Sequence, residues 1–171
     1  MSDISEKPYK ILLVSDSHGM NKGVRQAVEL ENPDMLIHCG DVQGFEADIE
    51  RIAGAPRVPC VFVKGNNDWD SRNPYTRTFK LKGHKFLVTH GHTHGVYTNA
   101  GVQNLIYLAM ENECDIVCFG HTHAVYDEEV GGVRLLNPGS ISLPRGTKKK
   151  SYMIISMKED GTYTVEKRFL V

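Results

Sequence analysis

Residues 11–19 read Ile11-Leu-Leu-Val-Ser-Asp-Ser-His-Gly19, so that four aliphatic residues run directly into a polar cluster. A short continuous apolar run of this kind predicts a strand that is covered on both faces of its sheet. The polar cluster follows the carboxyl end of this strand, which is where open α/β sheets bind their ligands. Asp16 and His18 are two residues apart and would project from one side if the extended conformation continued. A carboxylate and an imidazole directed at one point indicate half of a metal site, whereas an Asx-turn before a helix is the alternative interpretation.

Two more apolar runs, 35–39 and 58–63, follow this strand and also end in polar residues. Segments with helical periodicity, 21–31 and 43–52, separate the three runs from one another. This βαβαβ order predicts parallel strands that are joined by right-handed crossovers.

The pattern changes in the second half of the chain, where antiparallel hairpins are predicted at 76–89, 125–136 and 151–169. A helix at 103–112 and a strand at 115–119 lie between the first two hairpins. The combination predicts an α/β (α+β) fold, in which two sheets pack face to face as a β-sandwich flanked by helices, in the layer order αββα. No repeat or linker interrupts the pattern, so we expect a single domain that spans residues 1–171.

Length and charge limit the classes of function. The chain has 171 residues, of which 40% are hydrophobic and 24% charged, and a net charge of -1. The absence of a strong positive charge argues against nucleic acid or an anionic membrane as partner, and Lys148-Lys-Lys150 is interpreted as a solvated loop. The N-terminal lead-in, residues 1–9, is polar and has no apolar signal core, and the four cysteines lie in or beside apolar segments. We therefore expect a cytoplasmic protein with reduced, buried thiols.

Five predicted strands end in a polar cluster that contains glycine and a potential metal ligand. The clusters are Asp16-x-His18, Gly40-Asp41, Gly65-Asn66-Asn67-Asp68, His90-Gly-His92 and Gly120-His121-Thr-His123. Helix caps would account for any one cluster, but not for imidazoles and oxygens that repeat at the same structural position. The seven candidate donors are Asp16, His18, Asp41, Asn66, His90, His121 and His123. A tetrahedral zinc site takes four ligands, so seven donors fit better to two metal ions about 3.5–4 Å apart that share a bridging carboxylate.

The motifs D-x-H, G-D, G-N-x-D, H-G-H and G-H-x-H, in this order and over this length, resemble the calcineurin-like metallophosphoesterases, and in particular their small YfcE-like phosphodiesterase branch. The resemblance implies a dinuclear centre, with manganese as the usual metal of this branch and Fe, Zn, Co or Ni as alternatives. Asp41 would bridge the two ions. One ion would be bound by Asp16, His18, Asp41 and His123. The other would be bound by Asp41, Asn66, His90 and His121.

Position 67 departs from the pattern of many family members, which have a histidine where this chain has Asn67. That histidine is thought to stabilise charge in the transition state or to protonate the leaving group. An amide can donate a hydrogen bond to a phosphoryl oxygen, but it cannot deliver a proton near neutral pH. The small branch also commonly lacks this histidine. Asn67 and His92 are therefore our candidate catalytic residues, with His94 as a second candidate for the proton.

The function that these observations predict is hydrolysis of a small phosphodiester by a hydroxide that bridges two metal ions and attacks phosphorus in line. We expect a small phosphoester as partner, no membrane, and a homo-oligomer of the kind that relatives form. A non-catalytic scaffold, like the retromer subunit that shares this fold, is the alternative function. A repair nuclease is a second alternative, but those chains carry further domains and a basic surface.

Four further polar features are assigned structural roles. His38 and His84 do not end a strand in a ligand cluster, and Asp68 is expected to orient its neighbours rather than to bind metal. Residues 137–140, Asn-Pro-Gly-Ser, are interpreted as a turn, and the family resemblance places this turn near the edge where the clusters meet.

Overall fold

The computed structural model describes residues 6–171 and arranges the strands of this range in two five-stranded sheets. Residues 1–5, which belong to the polar lead-in and to the expected domain, lie outside the described residues. The elements of the first half are β1 (Tyr9–Val14), α1 (Lys22–Glu31), β2 (Met35–His38), α2 (Glu46–Ala53), β3 (Cys60–Phe62), β4 (Thr76–Leu81) and β5 (His84–Thr89). Those of the second half are a 3₁₀ turn (His92–His94), α3 (Gly101–Glu111), β6 (Ile116–Cys118), β7 (Val125–Val130), β8 (Val133–Pro138), β9 (Ser151–Met157) and β10 (Tyr163–Phe169).

Both sheets are mixed. Their strand orders are β10-β9-β1-β2-β3 and β4-β5-β6-β8-β7. The predicted two-sheet fold with flanking helices, in a single domain, is confirmed. The predicted parallel pairing of β1, β2 and β3 is confirmed, and so are the three predicted hairpins. The two kinds of pairing are not confined to separate halves of the chain, however, because β9 pairs antiparallel with β1 while β5, β6 and β8 pair in parallel. A hairpin pattern predicts only the pairing of adjacent strands, whereas the second neighbour of each strand depends on long-range packing.

The buried first strand connects two hydrophobic layers. Ile11 and Leu13 face the core between the two sheets, while Leu12 and Val14 face the layer beneath α1 and α2. All four side chains are fully buried, which confirms the prediction of a strand covered on both faces. Alternate residues of a strand point to opposite faces, so a strand between two apolar layers needs a continuous apolar run.

Three helices cover the outer faces of the sheets in the described range. Two of them, α1 and α2, pack on the first sheet, and α3 packs on the second sheet. They contain ten, eight and eleven residues. None of the helices that the structure describes is long and apolar enough to cross a membrane.

The segment 137–140 is not simply a turn, because β8 continues through Asn137 and Pro138. The fully buried Asn137 side chain donates hydrogen bonds to the Gly120 carbonyl oxygen (3.0 Å) and to Thr122 Oγ1 (3.0 Å). These bonds provide hydrogen-bond partners for the buried amide, a polar group that rarely lies inside a strand without them. They also tie β8 to the loop that follows β6.

Two histidines have structural roles, as predicted. His38 is fully buried, and its ring nitrogens lie 2.9 Å from Ser17 Oγ and 3.2 Å from the Gly40 amide nitrogen. Burial lowers the pKa of His38 to about 4, so this ring is neutral near neutral pH. His84 lies at the far end of the sandwich and bonds to Asp115 and to the Gly161 carbonyl oxygen. The four cysteines are free thiols; three are buried and Cys60 is half-buried.

Candidate metal centre

The loops that follow β1, β2, β3, β5 and β6 meet at one edge of the sandwich. The Asp16 amide donates to the Gly40 carbonyl oxygen (3.0 Å), which joins the loops after β1 and β2. The His121 amide donates to Asp16 Oδ2 (3.1 Å), which joins the two sheets. The expected convergence of strand ends is therefore present, and it brings together side chains that are more than 100 residues apart.

Glycine is required where these loops touch. A Cβ atom on Gly65 would overlap the carboxylate of Asp41, and one on Gly120 would overlap Ser15 and Asp16. Any larger residue at either position would push a carboxylate away from the centre. The two glycines thus allow the backbone to approach the acidic side chains closely.

Imidazole nitrogens surround the carboxylate of Asp16. Its Oδ1 lies 3.1 Å from Nε2 of His123, 3.7 Å from Nε2 of His18 and 3.8 Å from Nε2 of His90. The second carboxylate, that of Asp41, places Oδ2 at 3.4 Å from Nε2 of His90 and at 3.8 Å from Nε2 of His18. The imidazoles of three predicted donors therefore face Asp16, and a fourth predicted donor, Asp41, lies beside it.

The outer nitrogen of each of these three imidazoles faces an acceptor. The partners are Gln43 Oε1 for His18 (2.6 Å), the Cys39 carbonyl for His90 (2.7 Å) and the Leu143 carbonyl for His123 (2.5 Å). These partners assign a proton to Nδ1 and leave Nε2 with a lone pair that points into the centre. Such an outer hydrogen bond is the usual way in which proteins orient a metal-binding histidine.

The centre requires a positive charge. Asp16 Oδ1 is buried and accepts no hydrogen bond from the residues that the structure describes. Nε2 of His18 and Nε2 of His123 are 3.1 Å apart, a separation at which their lone pairs repel unless a proton or a metal ion lies between them. A metal ion would satisfy the carboxylate and both nitrogens at once, and a nitrogen and oxygen donor set suits divalent transition metals.

The pKa values of the side chains in the centre reflect the same need for positive charge beside the carboxylates. Burial by itself would raise the pKa of Asp16, but the facing imidazoles of His123 and His18 outweigh burial and hold this pKa below its ordinary value. Burial also opposes ionisation of Asp41, yet His90 and Asn67 lower its pKa to about 2. The Asp16 carboxylate in turn raises the pKa of His18. Protons would therefore compete with metal at this centre, because a histidine must lose its proton to bind a metal.

Two groups of side chains have ligand atoms that all lie within 4.8 Å of one another. One contains Asp16, His18 and His123. The other contains Asp16, Asp41 and His90. The residue that both groups share is Asp16, whereas the sequence predicted Asp41 as the shared ligand.

The remaining two predicted donors lie at the margin of the centre. Asn66 places Oδ1 at 3.0 Å from Nε2 of His90. The ring of His121 has its centroid 5.0 Å from that of His90. Burial, followed by the charge of His90, lowers the pKa of His121 to about 4, so that this imidazole is in the neutral form that metal binding needs.

The backbone of the centre is strained. In residues 6–171, nine residues other than glycine have a positive φ angle, and six of them belong to this centre. The six are Asp16, His18, Asp41, Gln43, His121 and His123, with φ between 48° and 68°. The extended conformation assumed for Asp16 and His18 is therefore wrong, although the two side chains do converge. Non-glycine residues in this conformation are uncommon and cluster at functional sites.

Asp68 organises the loop around Asp41. Its buried carboxylate accepts hydrogen bonds from the backbone amides of Asp41, Gln43 and Gly65, each at 2.8 Å. Asn67 holds the Asp41 side chain directly, because its backbone amide donates to Oδ1 (2.9 Å) and its side-chain amide to Oδ2 (2.8 Å). Asn67 thus contacts a candidate ligand, and Asp68 orients its neighbours as the sequence predicted.

His92 lies beside the centre, in the 3₁₀ turn. Its ring centroid is 5.3 Å from that of His90 and 5.4 Å from that of Tyr75, and its Nδ1 is buried with no partner among the described residues. Burial, and then the charge of His90, lowers the pKa of His92. The ring of His94 instead contacts Thr93 Oγ1 at 2.9 Å.

Sequence reasoning missed Gln43 and Ser140. Gln43 follows Asp41 in the same loop, and a polar side chain there was the available signal. The buried Ser140 Oγ donates to the Asp16 carbonyl oxygen (2.8 Å) and accepts from the Leu143 amide (2.7 Å). Since 124 residues separate Ser140 from Asp16, no local pattern reveals this contact.

Comparisons with known proteins agree with this geometry. The sequence profile of the calcineurin-like phosphoesterase superfamily domain matches residues 9–160. The probable metallophosphoesterase YsnB of Bacillus subtilis is 35% identical over 153 residues, which are 88% of this chain and 86% of that protein. The phosphodiesterase MJ0936 of Methanocaldococcus jannaschii is 31% identical over 145 residues, which are 76% of this chain and 82% of that protein.

Solved structures share the fold. A Streptococcus pneumoniae protein described as a predicted phosphoesterase superposes with a TM-score of 0.75 at 26% identity, covering 97% of this chain and 100% of the other. Vacuolar protein sorting 29 of Cryptosporidium parvum superposes with a TM-score of 0.73 at 19% identity, covering 96% and 99% of the two chains. At that identity the second similarity concerns the fold alone.

Proposed function

The chain belongs to the calcineurin-like phosphoesterase superfamily, and from this membership we propose that it is a metal-dependent phosphodiesterase that hydrolyses small phosphodiesters. The observation that carries the proposal is the convergence of three Nε2 atoms on the buried Asp16 carboxylate. Relatives that are named phosphodiesterases support the choice of a diester over a monoester.

We further propose two divalent ions, with manganese as the physiological metal. One would be held by Asp16, His18, Asp41 and His123. The other would be held by Asp41, Asn66, His90 and His121. The two ligand groups described above support a pair of ions. Asp41 is proposed as the bridging ligand because the family resemblance assigns it this role, and its Oδ2 lies 3.8 Å from Nε2 of His18 and 3.4 Å from Nε2 of His90.

The bound ions would stabilise the negative charge of the phosphoryl oxygens and make a water molecule more acidic. The role of the chain is to hold the ligands in place. Gln43 and the Cys39 and Leu143 carbonyls do so by accepting the outer hydrogen bonds of the imidazoles, and Asp68 does so by accepting bonds from backbone amides of the loop around Asp41. The Asn67 side-chain amide has a second N–H, beyond the one that Asp41 accepts, which can donate to a phosphoryl oxygen.

This arrangement lacks an efficient proton donor to the leaving group. Asn67 carries no transferable proton, and the lowered pKa of His92 leaves little of its protonated form near neutral pH. We therefore propose that the enzyme acts best on phosphodiesters whose alcohol leaves readily as an anion.

The test is metal analysis of the purified protein, followed by hydrolysis of bis(p-nitrophenyl) phosphate with and without added Mn²⁺. We expect bound metal, activity that chelation abolishes, and recovery when Mn²⁺ is returned. Asp16→Asn should lose both metal and activity, whereas the matched control Asp115→Asn, at the other end of the sandwich, should keep both. Absence of metal and of hydrolysis in the wild-type protein would contradict the proposal.

A scaffold function is the second candidate, since vacuolar protein sorting 29 shares the fold. All seven predicted donors are present in this chain, and six residues of the centre, including five of these donors, adopt strained backbone conformations. A scaffold has no need to maintain that strain. A protein that bound metal but hydrolysed no phosphoester would favour the scaffold.

A further inference from the structure

A cavity of about 340 Å³ opens beside the candidate metal centre. It shares two residues with the centre: Asn67, which bonds to Asp41, and Gln43, which bonds to His18. The cavity is therefore adjacent to the place where a phosphoryl group would bind. The volume falls at the lower end of the range for ligand sites, about 300–1,000 Å³.

Two aromatic side chains stand at the rim of the cavity and are exposed to solvent. Phe45 is 77% exposed and Trp69 is 83% exposed. They lie on different loops, the first directly before α2 and the second after β3. Large aromatic side chains that share the rim of one cavity mark a binding surface, since solvent exposure brings them no stabilisation. Their faces are suited to stacking against a flat ring.

The charge of the cavity is negative. Glu46, Asp68 and Asp70 line it, and no lysine or arginine is among the described residues that do so. Asp68 is already engaged by three backbone amides, and Oε1 of Glu46 accepts hydrogen bonds from Ser71 (2.6 Å) and Asn73 (3.0 Å). The second oxygen of Glu46 and the exposed carboxylate of Asp70 remain available to accept bonds from a ligand.

Lys64, which contacts the backbone of Trp69, does not reverse this charge. The Lys64 ammonium donates to the Trp69 carbonyl oxygen (3.4 Å) and lies 5.8 Å from the centroid of the Tyr75 ring. It therefore sits behind the Trp69 backbone and does not line the cavity. An anionic ligand group would be repelled here, whereas a neutral group with hydrogen-bond donors would be accepted.

We infer that this cavity binds the organic group of the phosphodiester, and that this group is a flat aromatic ring without negative charge that stacks on Trp69 and Phe45. Hydrogen-bond donors on the ring would reach Glu46 or Asp70. A nucleobase with an amino group and a neutral aryl alcohol share this chemistry. The inference rests on the proposed phosphodiesterase function of the neighbouring centre, and it names the class of substrate.

Trp69 is the only tryptophan of the chain, so intrinsic fluorescence reports on this cavity alone. The metal-free protein is titrated with adenosine, thymidine, benzyl alcohol, benzoate and choline, each corrected with free N-acetyltryptophanamide. We expect saturable quenching by adenosine and by benzyl alcohol, and none by benzoate, which is anionic, or by choline, which has no ring. Thymidine, which lacks the amino group, should bind more weakly than adenosine. Tighter binding of adenosine would identify the nucleobase as the occupant, and tighter binding of benzyl alcohol the aryl group.

Two variants test the separate contributions of Phe45 and Glu46 to ligand binding. Phe45→Ala keeps the fluorophore and should weaken adenosine binding about tenfold, because stacking of one base on one aromatic side chain is worth about 1–3 kcal/mol. Glu46→Gln should reduce the preference for the neutral ring over benzoate. The matched control is Tyr107→Ala, an exposed aromatic residue of α3 away from the cavity, which should leave binding unchanged.

Hydrolysis is measured on the same preparations with Mn²⁺ added. Trp69→Ala should raise KM for bis(p-nitrophenyl) phosphate about tenfold while the metal content stays the same. Unchanged KM in Trp69→Ala, together with no quenching of the wild-type fluorescence by adenosine or benzyl alcohol, would overturn the inference, even if the wild-type protein were an active phosphodiesterase. Quenching by choline but not by adenosine would also overturn it. Saturable quenching by adenosine in a protein that hydrolyses nothing would contradict the proposed function instead, because ring binding at Trp69 does not depend on the metal.

Discussion

The Nε2 atoms of His18 and His123 lie 3.1 Å apart although each ring donates its Nδ1 proton outward, to Gln43 and to the Leu143 carbonyl. Two lone pairs are thus held face to face beside the buried Asp16 oxygen. The 105 residues between the two histidines and their opposed outer bonds mean that the fold itself imposes this contact. The two nitrogens repel each other unless a proton or a metal ion lies between them, and a bound metal ion relieves that repulsion.

Metal should stabilise the folded protein. Because the centre forms only when distant loops meet, metal binds the folded state and not the unfolded chain, and at 100 times Kd this linkage is worth about 2.7 kcal/mol. We expect the midpoint of thermal unfolding to rise on addition of Mn²⁺ and to fall on addition of EDTA. The shift should shrink in His123→Ala, which removes a ligand of one proposed ion, and persist at full size in the control His84→Ala. An equal shift in both variants would mean that Mn²⁺ binds elsewhere.

Gln43→Ala should weaken metal binding without removing a ligand. The Gln43 side chain accepts the Nδ1 proton of His18 and thereby orients that ring, and loss of such a partner typically costs about 10–100-fold in metal affinity. The measurement is metal titration by calorimetry. Gln103→Ala, an exposed glutamine on α3, is the matched control and should keep the wild-type affinity. Unchanged affinity in Gln43→Ala would remove Gln43 from the support of the centre.

The stability of the protein should depend on pH through His84. Its Nδ1 lies 2.5 Å from Asp115 Oδ2 and its Nε2 lies 2.6 Å from the Gly161 carbonyl oxygen, so only the doubly protonated ring can donate to both. Burial opposes this charge, but Asp115 and Gly161 outweigh it and raise the pKa of His84 above 6.5. The stabilisation is complete below the unfolded-state pKa of 6.5 and is lost as the pH rises through the higher folded-state pKa.

Urea denaturation of the wild-type protein and of His84→Ala tests this dependence. We expect the variant to be less stable by about 1 kcal/mol near pH 6 and the difference to shrink toward pH 9, since bonds made by a charged group contribute about 1.5–3 kcal/mol when buried and less when partly exposed. Comparison of two proteins with the same metal centre cancels the titration of the other histidines. A difference that stayed constant with pH would show that folding does not shift the pKa of His84.

The leaving group should control the rate. Without a proton donor at Asn67, kcat/KM should fall steeply as the alcohol becomes more basic, so that aryl diesters react much faster than alkyl diesters. Asn67→His should raise the rate for alkyl diesters selectively, because general acid catalysis contributes about 10²–10⁴-fold. The measurement is the slope of log kcat/KM against leaving-group pKa.

His92 provides the control for that slope. If His92 donates the proton, His92→Ala should steepen the dependence on the leaving group; if it does not, the slope should stay unchanged. Equal rates for aryl and alkyl diesters in Asn67→Ala/His92→Ala would exclude both residues as the proton source.

Much of the candidate centre was predictable because it follows strand ends. The apolar runs marked β1, β2 and β6, and the polar residues after them lie at the carboxyl ends of strands of one sandwich. The ends of adjacent parallel strands lie together in one sheet, so Asp16 and Asp41 could be placed together without coordinates. His123 follows β6 of the other sheet, and its approach to Asp16 depends on how the two sheets pack. The conformation of the loops could not be predicted, since the positive φ angles of Asp16 and His18 depend on bonds to residues far along the chain.

The amino-acid sequence alone determined which segments are strands, which edge carries the polar residues and which side chains are available as ligands, because periodicity, turn chemistry and residue type are local properties. Only the tertiary structure decided that β9 pairs with β1, that Asp16 rather than Asp41 faces all three imidazoles, and that Phe45 and Trp69 share the rim of one cavity. These features depend on contacts between residues that lie far apart in the chain, and such contacts form only when the whole sandwich packs.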